Sequence, residues 1–307
     1  MTNEFIGEGG PIHVVCAADA NYGPFAGITM SSILNENPVG AIHLHLFSDG
    51  VTSTDLDRFK HMARRFGGAF SVYDIGQRLD AIPELPKQIH HYTRTTYGRL
   101  FFPDFLPKTV RKAIYLDCDI VCRSDLRKLW TLGNNIELLG AVRDPWVDLD
   151  FEHKHNLRIP RDALYFNAGV LFINVENWRD SKVGERLIEF LSAPPKTKHA
   201  DQDAINGVLW KEITEIPGEW NCIVSPPTSQ QGQALLENAA ILHFCGGFKP
   251  WYLGYGLLVG TEAAAFRKAK AASPWRWMLP DFQVRRIKRK AKQLIHNRPT
   301  RKAPISQ

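Results

Sequence analysis

Two aspartates, Asp117 and Asp119, directly follow the apolar run 113–116, with only Cys118 between them. The run predicts a buried strand. Side chains two residues apart on a strand project from the same face, so the two carboxylates point the same way if the extended backbone continues through Cys118. Adjacent carboxylates repel each other unless a positive charge lies between them, and a divalent cation is the usual solution. The alternative is a pair of solvated turn residues.

Four residues elsewhere in the chain are able to complete such a site. His243 ends an apolar run and suits Mn²⁺ better than Mg²⁺ because nitrogen is a softer donor than oxygen. Gly246 would let backbone amides approach a phosphate, and Lys249 and Arg99 add positive charge. A histidine that ends a strand is otherwise a hydrogen-bonded structural residue. Together these residues predict a cation that bridges the phosphates of a leaving nucleoside diphosphate.

Strand and helix patterns alternate along the chain and must position these groups. The alternation predicts an α/β fold whose sheet is mixed but mostly parallel, with helices on both faces. Ligands bind at the carboxyl ends of strands in such sheets, which is where Asp117 falls. Strands are predicted at 12–19, 42–49, 70–75, 113–121, 138–144, 165–175 and 239–247, and helices at 24–37, 53–68, 95–105, 183–191 and 201–210.

Five separated motifs resemble the retaining glycosyltransferases of family 8. This family includes bacterial galactosyl- and glucosyltransferases that extend lipopolysaccharide cores, with glycogenin as a distant relative. The motifs are CAADANY (16–22), TTYGRL (95–100), YLDCDIV (115–121), FNAGVLFIN (166–174) with DQDAIN (201–206), and HFCGGFKPW (243–251). The resemblance implies a single domain of GT-A type at 12–260 with a Rossmann-like N-terminal nucleotide-binding half. A basic helical C-terminal extension follows at 261–307.

The resemblance also implies a ligand for each matching residue. The metal ligands would be Asp117, Asp119 and His243, with Mn²⁺ expected and Mg²⁺ as the alternative. The donor would be UDP-galactose or UDP-glucose. The donor contacts fall into four groups: Ala17, Asp19 and Asn21 at the uracil and ribose, Gly246 and Lys249 at the diphosphate, Arg99 at phosphate and sugar, and Asp144, Asn167, Ala168, Asp201 and Gln202 at the sugar. Without the resemblance, Asp19 is equally well explained as a cap for the following helix.

The expected catalytic residues are Gln202, Asp201 and Arg99. Retention of configuration normally needs a carboxylate nucleophile beneath the sugar, but the matching residue is Gln202, which is a poor nucleophile. We therefore expect a front-face substitution in which the leaving diphosphate helps to deprotonate the acceptor hydroxyl. The carbonyl oxygen of Gln202 would stabilise positive charge at the anomeric carbon. The alternative is a covalent intermediate on Gln202, Asp201 or Asp203, although Asp203 is also explained as an acid favoured by a helix N-terminus.

The expected activity is transfer of a hexose to a glycan acceptor, such as a lipid-linked lipopolysaccharide or lipooligosaccharide core. Two other classes of function stay open at this point. One is a non-catalytic protein that binds a UDP-sugar on the same fold. The other is a glycoside hydrolase, which would need two acids flanking a sugar without a diphosphate site.

The net charge of +6 is concentrated at the C-terminus. Residues 283–307 hold nine Lys or Arg and no acid, so the rest of the chain carries about −3. Within this tail, a helix would place Val284, Ile287, Ala291, Leu294 and Ile295 on one face. The tail is therefore predicted to bind an anionic membrane surface, with Trp275, Trp277 and Phe282 as additional interface groups. The alternative is a solvated or disordered tail, and nucleic-acid binding is not expected.

Localisation is predicted from apolar runs and cysteines. No apolar run reaches the length of a membrane span, and the first ten residues lack the pattern of a secretory signal. We therefore expect a cytoplasmic protein that associates peripherally with the inner face of the cytoplasmic membrane. The five cysteines form no CxxC pair, which predicts reduced thiols without disulfides.

Overall fold

The computed structural model describes residues 10–80, 93–192, 197–224, 230–247, 249–253, 255 and 260–280. The predicted amphipathic tail and Phe282 lie outside the described residues. Within them, no helix is long and apolar enough to cross a bilayer.

The described strands and helices alternate as the sequence predicts. The strands are β1 (Ile12–Asp19), β2 (Ile42–Asp49), β3 (Ala69–Asp74), β4 (Lys112–Leu116), β5 (Ile120–Cys122), β6 (Leu139–Arg143), β7 (Phe166–Asn174), β8 (Ile213–Glu215), β9 (Cys222–Ile223) and β10 (Ile241–His243). The α-helices are α1 (Gly23–Glu36), α2 (Ser53–Arg65), α3 (Gly76–Leu79), α4 (Phe102–Phe105), α5 (Arg127–Leu132), α6 (Phe151–Asn156), α7 (Val175–Asp180), α8 (Val183–Ser192), α9 (Asp201–Leu209), α10 (Gln230–Asn238) and α11 (Gly260–Ala272). Short 3₁₀ helices occupy Arg94–Leu100, Gly133–Asn135 and Gly218–Asn221.

The main sheet has seven strands in the order β3-β2-β1-β4-β7-β6-β8. Strands β1 to β4 are mutually parallel, β7 runs antiparallel to both β4 and β6, and β8 is parallel to β6. The predicted α/β class and the mixed, mostly parallel sheet are therefore confirmed. A second, small sheet has the order β5-β10-β9. Apolar clusters cover both faces of the main sheet, which explains the nearly continuous burial of β1 and β2.

The predicted strand 113–121 is two strands that belong to different sheets. Strand β4 ends at Leu116, the chain turns at Cys118 and Asp119, and β5 begins in the small sheet. The expectation that the extended backbone continues through Cys118 was wrong. The hydroxyl of Thr29 on α1 contacts the carbonyl oxygens of Cys118 at 3.1 Å and Ile120 at 2.8 Å. A contact from another part of the chain thus stabilises the turn.

The predicted helix 95–105 is also divided. The 3₁₀ helix Arg94–Leu100 comes first, and α4 follows after Phe101 with a proline in its first turn. Proline lacks the N–H that a continuous helix needs at that position, so Pro103 favours a new start. Arg99 therefore lies at the end of a short, tight helix beside the sheet.

The segment after the predicted domain boundary packs on α1. Helix α11 contributes to the same apolar cluster as α1, and Trp275 is only 3% exposed. A Cβ atom on Gly27 would lie 2.0 Å from Cζ3 of Trp275, and the indole nitrogen donates to Asp55 Oδ1 at 2.7 Å. The prediction that Trp275 is a membrane-interface group was wrong, because α1 and α2 bury it. The boundary at residue 260 stays a prediction.

Replacing Trp275 with alanine is expected to lower the free energy of unfolding by about 3–5 kcal/mol, because it leaves a cavity against Gly27 and removes one of the hydrogen-bond donors to Asp55. Urea denaturation followed by circular dichroism measures the change. Trp277, which is 80% exposed, provides the matched control, and its alanine variant is expected to stay within about 0.5 kcal/mol of wild type. Equal losses in the two variants would contradict the packing of Trp275.

Candidate active site

Asp117, Asp119 and His243 converge at the junction of the two sheets. Asp117 follows β4, Asp119 precedes β5, and His243 ends β10, which pairs with β5. The Nε2 atom of His243 lies 3.3 Å from Oδ1 of Asp119 and 3.7 Å from Oδ2 of Asp117. Each of the three residues offers a ligand atom within 4.8 Å of the other two. The predicted metal ligands are therefore close enough to share one ion.

Two neighbours fix the ring of His243. Its Nδ1 lies 2.8 Å from Oδ1 of Asn221. Because an amide oxygen only accepts hydrogen bonds, Nδ1 carries the proton in this contact and Nε2 is the atom that faces the carboxylates. On the other side, a Cβ atom on Gly169 would lie 2.1 Å from Cε1 of the ring. Glycine at this position of β7 therefore leaves the space that the imidazole occupies.

Each of the two carboxylates contacts a buried cation. Nη2 of Arg99 donates to Oδ1 of Asp117 at 2.7 Å, and the guanidinium lies 4.9 Å from the ring centre of Tyr115. Nζ of Lys249 donates to Oδ2 of Asp119 and to the carbonyl oxygen of Phe244 at 3.1 Å. Arg99 and Lys249 are 5% and 7% exposed, so solvent screens these charges weakly.

The pKa values reflect this balance of burial and charge. Burial raises the pKa of Asp117, and Arg99 opposes this shift. Burial acts in the same direction on Asp119, but Lys249 and His243 outweigh it, so the pKa of Asp119 is lowered. The pKa of His243 is raised well above its usual value, because Cys245 and Asp119 outweigh a burial effect that would lower it. The junction thus attracts positive charge to the space between its acids.

The donor set at this junction fits a divalent metal ion. Two carboxylate oxygens and one imidazole nitrogen are ligands that Mn²⁺ and related cations accept. Hydrogen bonding of the imidazole through its other nitrogen, here to Asn221, is the usual arrangement around a histidine that binds a metal. Cys245 lies beside the ring, with Sγ 3.2 Å from Nε2 of His243.

The three residues line a cavity of about 820 Å³, counting its open mouth, at the carboxyl ends of β1 and β4. Most of the predicted donor contacts also line it. The predicted residues that line the cavity are Ala17, Asp19, Arg99, Asp117, Asp119, Asn167, Asp201, Gln202, His243, Gly246 and Lys249. Gly246 has a φ of +82°, a backbone conformation that favours glycine.

Three of the predicted contacts do not line the cavity. Asn21 is exposed, and its backbone N–H donates to Oδ1 of Asp19 at 2.8 Å. The same oxygen accepts from the N–H of Tyr22 at 2.8 Å, so Asp19 also stabilises the turn that leads into α1. Asp144 and Ala168 are not lining residues, but both are hydrogen-bonded to Gln202, which lines the cavity.

The amide of Gln202 is held by hydrogen bonds from several directions. Its Oε1 accepts from the N–H of Ala168 at 3.0 Å and from Nδ2 of Asn167 at 3.2 Å. Its Nε2 donates to Oδ2 of Asp144 at 3.2 Å. Gln202 lies in the first turn of α9, and these bonds attach that turn to β7 and to the end of β6. The side chain at the predicted catalytic position is therefore fixed in place.

The two aspartates beside Gln202 have different environments. Asp201 lines the cavity, and its Oδ2 lies 2.7 Å from Nε of Arg99. That N–H points at the carbonyl oxygen of Thr96, so the contact with Asp201 is an ion pair without hydrogen-bond alignment. Burial raises the pKa of Asp201 to about 7, and Arg99 opposes the shift.

Asp203 instead stabilises the turn that precedes α9. Its Oδ2 accepts from the backbone N–H groups of Lys198 at 2.6 Å and His199 at 2.8 Å, and its Oδ1 accepts from the hydroxyl of Tyr165 at 2.5 Å. Within this turn, Ala200 adopts φ +51° and ψ −118°, which is strained for a residue with a side chain. Asp203 is fully buried outside the cavity lining, so the structure supports its reading as a helix N-terminal acid over that of a nucleophile.

Comparison with known proteins agrees with these motifs. The family model described as "Glycosyl transferase family 8" matches residues 13–253. The chain belongs to glycosyltransferase family 8.

Three similar proteins match most of the chain. General stress protein A of Bacillus subtilis is 28% identical over 255 residues, which is 78% of this chain and 87% of the relative. Lipopolysaccharide 1,3-galactosyltransferase of Salmonella typhimurium is 26% identical over 273 residues, which is 86% of this chain and 79% of the relative. Lipopolysaccharide 1,2-glucosyltransferase of Escherichia coli is 27% identical over 277 residues, with the same coverage of 86% and 79%.

A solved structure confirms the predicted GT-A type fold. Galactosyltransferase LgtC, solved in complex with donor and acceptor sugar analogs, is similar with a TM-score of 0.73 and 25% identity. The match covers 86% of this chain and 96% of that one. Membership of family 8 therefore agrees with the order of the motifs in the sequence and with the fold of the chain.

Several residues at this family 8 site were missing from the sequence prediction. Asn221 orients His243 and donates to Oδ1 of Asn167 at 2.8 Å. It stands in a segment without a recognisable pattern, so only its proximity in the fold reveals its role. Gly169 and Cys245 fall inside the quoted motifs, and their position within those motifs was the signal that was available. Thr29, on the buried face of α1, carried no such signal.

Asn221→Leu is expected to weaken Mn²⁺ binding by about 10–100-fold, because leucine cannot accept the Nδ1 proton that orients His243. Isothermal titration calorimetry with Mn²⁺ measures the affinity. Asn221→Asp keeps an acceptor and should retain most of it, and Asn238→Leu, at an exposed position of α10, is the control. Unchanged Mn²⁺ affinity in a folded Asn221→Leu protein would contradict this role.

Proposed function

We propose that this protein is a metal-dependent hexosyltransferase that transfers galactose or glucose from a UDP-sugar to a glycan acceptor with retention of configuration. The observation that carries the proposal is the convergence of Asp117, Asp119 and His243 at the cavity of a family 8 fold, flanked by two buried cations. This arrangement suits an anionic ligand that brings its own cation. A metal-bound diphosphate is such a ligand.

The metal site and the two cations would bind the diphosphate together. Asp117, Asp119 and His243 would hold Mn²⁺, with Mg²⁺ as the harder alternative. When bound, the ion would act as a Lewis acid that stabilises charge on the leaving diphosphate. A cation between the acids would replace part of the positive charge that Lys249 and Arg99 now supply, so that these side chains are able to donate to phosphate oxygens.

The sugar would lie on the side of the cavity formed by α9 and the start of β7. Asp201, Gln202 and Asn167 line this side, and Asp144 and Ala168 hold the amide of Gln202. Carboxylate and amide groups offer the donors and acceptors that sugar hydroxyls need. Ala17 and Asp19 line the cavity near the first strand-to-helix junction, which is where the nucleotide would lie. Asn21 is on the exposed turn that follows Asp19.

For the chemical step we favour front-face substitution. Gln202 is held by three hydrogen bonds, so its amide dipole would act on charge at the anomeric carbon without reorganisation. The leaving diphosphate would take the proton of the acceptor hydroxyl. A covalent intermediate would have to form on Gln202 or Asp201, because Asp203 does not line the cavity. Arg99 would keep Asp201 in place between the diphosphate and the sugar.

The two alternative functions, a non-catalytic sugar-binding protein and a glycoside hydrolase, are less well supported. Relatives named as lipopolysaccharide galactosyl- and glucosyltransferases favour a catalytic protein over a non-catalytic sugar-binding protein, and they suggest a lipopolysaccharide core as the acceptor. A glycoside hydrolase has no use for two cations beside a pair of acids and a histidine at one junction. We therefore place the transferase first.

Asp119→Asn is expected to reduce release of UDP from a UDP-hexose in the presence of Mn²⁺ and acceptor by at least about 100-fold, because the amide lacks the charge that holds the ion. A coupled assay for UDP measures the rate, and calorimetry with Mn²⁺ shows whether metal binding falls with it. Asp57→Asn, at a side chain that is 75% exposed, is the control. Full activity in Asp119→Asn would refute the proposed metal site.

We also propose that residues 282–307 bring the enzyme to the cytoplasmic face of the membrane, where a lipid-linked acceptor would lie. The nine basic residues after Gln283 support this through attraction to anionic lipid. Full-length protein is expected to float with vesicles that contain anionic lipid, but not with neutral vesicles. A chain that ends at Asp281 should stay in the bottom fraction in both cases. Equal flotation of the two proteins would refute the role of the tail.

A further inference from the structure

Three histidines form a cluster at the opposite end of the main sheet from the candidate active site. His13 on β1 is the register partner of His43 on β2, and His45 lies two residues further along β2 on the same face. Nδ1 of His13 and Nε2 of His45 are 2.9 Å apart, and the rings of His43 and His45 stack with centres 4.0 Å apart. Each histidine offers a ring nitrogen within 4.8 Å of the other two.

Side chains of β3 hold the outer nitrogens of this cluster. Nε2 of His43 lies 2.9 Å from the hydroxyl oxygen of Ser71, and Nδ1 of His45 lies 3.1 Å from the hydroxyl oxygen of Tyr73. When these nitrogens donate to the hydroxyls, Nδ1 of His43 and Nε2 of His45 keep their lone pairs, and Nε2 of His45 accepts from the Nδ1–H of His13. This is the arrangement in which an outer hydrogen bond fixes the tautomer and orientation of a metal-binding imidazole.

The charge state of the cluster also suits a metal. Burial, with a smaller effect of the neighbouring histidines, lowers the pKa of His13 to about 4 and that of His45 to about 2, and burial lowers the pKa of His43. The lowered pKa values favour neutral rings, and moving the proton of His13 from Nδ1 to Nε2 would leave a lone pair on each of the three inner nitrogens. His13 and His43 are half-buried, which leaves the cluster a route to solvent.

The cluster is separate from the acidic junction. His13 stands near the amino end of β1, whereas Asp19, at the other end of the same strand, lines the active-site cavity. Six residues of extended chain separate these positions by about 20 Å. No step of the proposed transfer reaction needs the histidines.

We propose that His13, His43 and His45 bind one Zn²⁺ ion, with solvent as the fourth ligand. Three nitrogen donors favour Zn²⁺ over Mn²⁺ and Mg²⁺, whereas the two carboxylates of the acidic junction favour the harder ions. One ion would connect β1 to β2, and the hydroxyls of Ser71 and Tyr73 would extend the connection to β3. The site would therefore stabilise the pairing of β1, β2 and β3.

Equilibrium dialysis of the full-length protein against Zn²⁺ in excess Mn²⁺ tests the proposal. We expect one Zn²⁺ per chain in the wild type and in Asp119→Asn, and no retained Zn²⁺ in His43→Gln or His45→Gln. His61→Gln, at an exposed position of α2, is the matched histidine control and should retain the ion. Absence of bound Zn²⁺ in the wild type would overturn the proposal. Its loss in Asp119→Asn, or its retention in both ligand variants, would do the same.

Circular dichroism shows whether His43→Gln and His45→Gln are folded. If they are not, a milder variant still tests the proposal. Tyr73→Phe removes only the hydroxyl that contacts His45, so it should weaken Zn²⁺ binding by about tenfold or more without abolishing it. Zn²⁺ affinity unchanged by Tyr73→Phe would count against the cluster. Because the readout is Zn²⁺ binding, failure of the proposed transferase activity would not affect the result.

Discussion

Asp117 and Asp119 bring two carboxyl groups together at a mostly buried junction, where their side chains are 23% and 10% exposed. Burial alone would make both carboxylates unstable in the charged form. The surrounding structure supplies the compensation, since Arg99, Lys249 and His243 come from three separate parts of the chain and meet at these two residues. The chain turn at Cys118, the second small sheet and the glycine opposite His243 all serve to bring these groups together.

The same charge balance extends from the metal site toward the sugar side of the cavity. Arg99 contacts both Asp117 and Asp201, so one guanidinium joins the acid of the proposed metal site to the acid beside Gln202. Binding of a cation at the junction would change the charge that Asp201 experiences through Arg99. If the proposed donor binds here, its binding would be electrostatically coupled to the arrangement of Asp201 and Gln202 through Arg99. The strained turn at Ala200, held by Asp203, keeps the start of α9 close enough for that coupling.

The two ends of the main sheet carry two different kinds of polar cluster. Charged acids and cations occupy the carboxyl ends of the strands, whereas neutral imidazoles occupy the amino end of β1 and β2. Oxygen donors with charge suit hard cations, and neutral nitrogen donors suit softer transition metals. If both proposed sites bind their ions, one sheet would keep two metal chemistries apart by distance and by donor type.

The sequence by itself determined the alternation of elements, the order of the family motifs and most of the residues around the cavity. The alternation follows from side-chain periodicity, which reports burial, and the cavity residues follow from the resemblance of short motifs to the family. Only the tertiary structure decided that the strand after Lys112 breaks at Asp117, that Asn221 orients His243, that Asp203 supports a turn and that Trp275 is buried. Each of these depends on contacts between residues distant in sequence, such as Thr29 with Cys118 or Trp275 with Gly27, and no local pattern records such contacts.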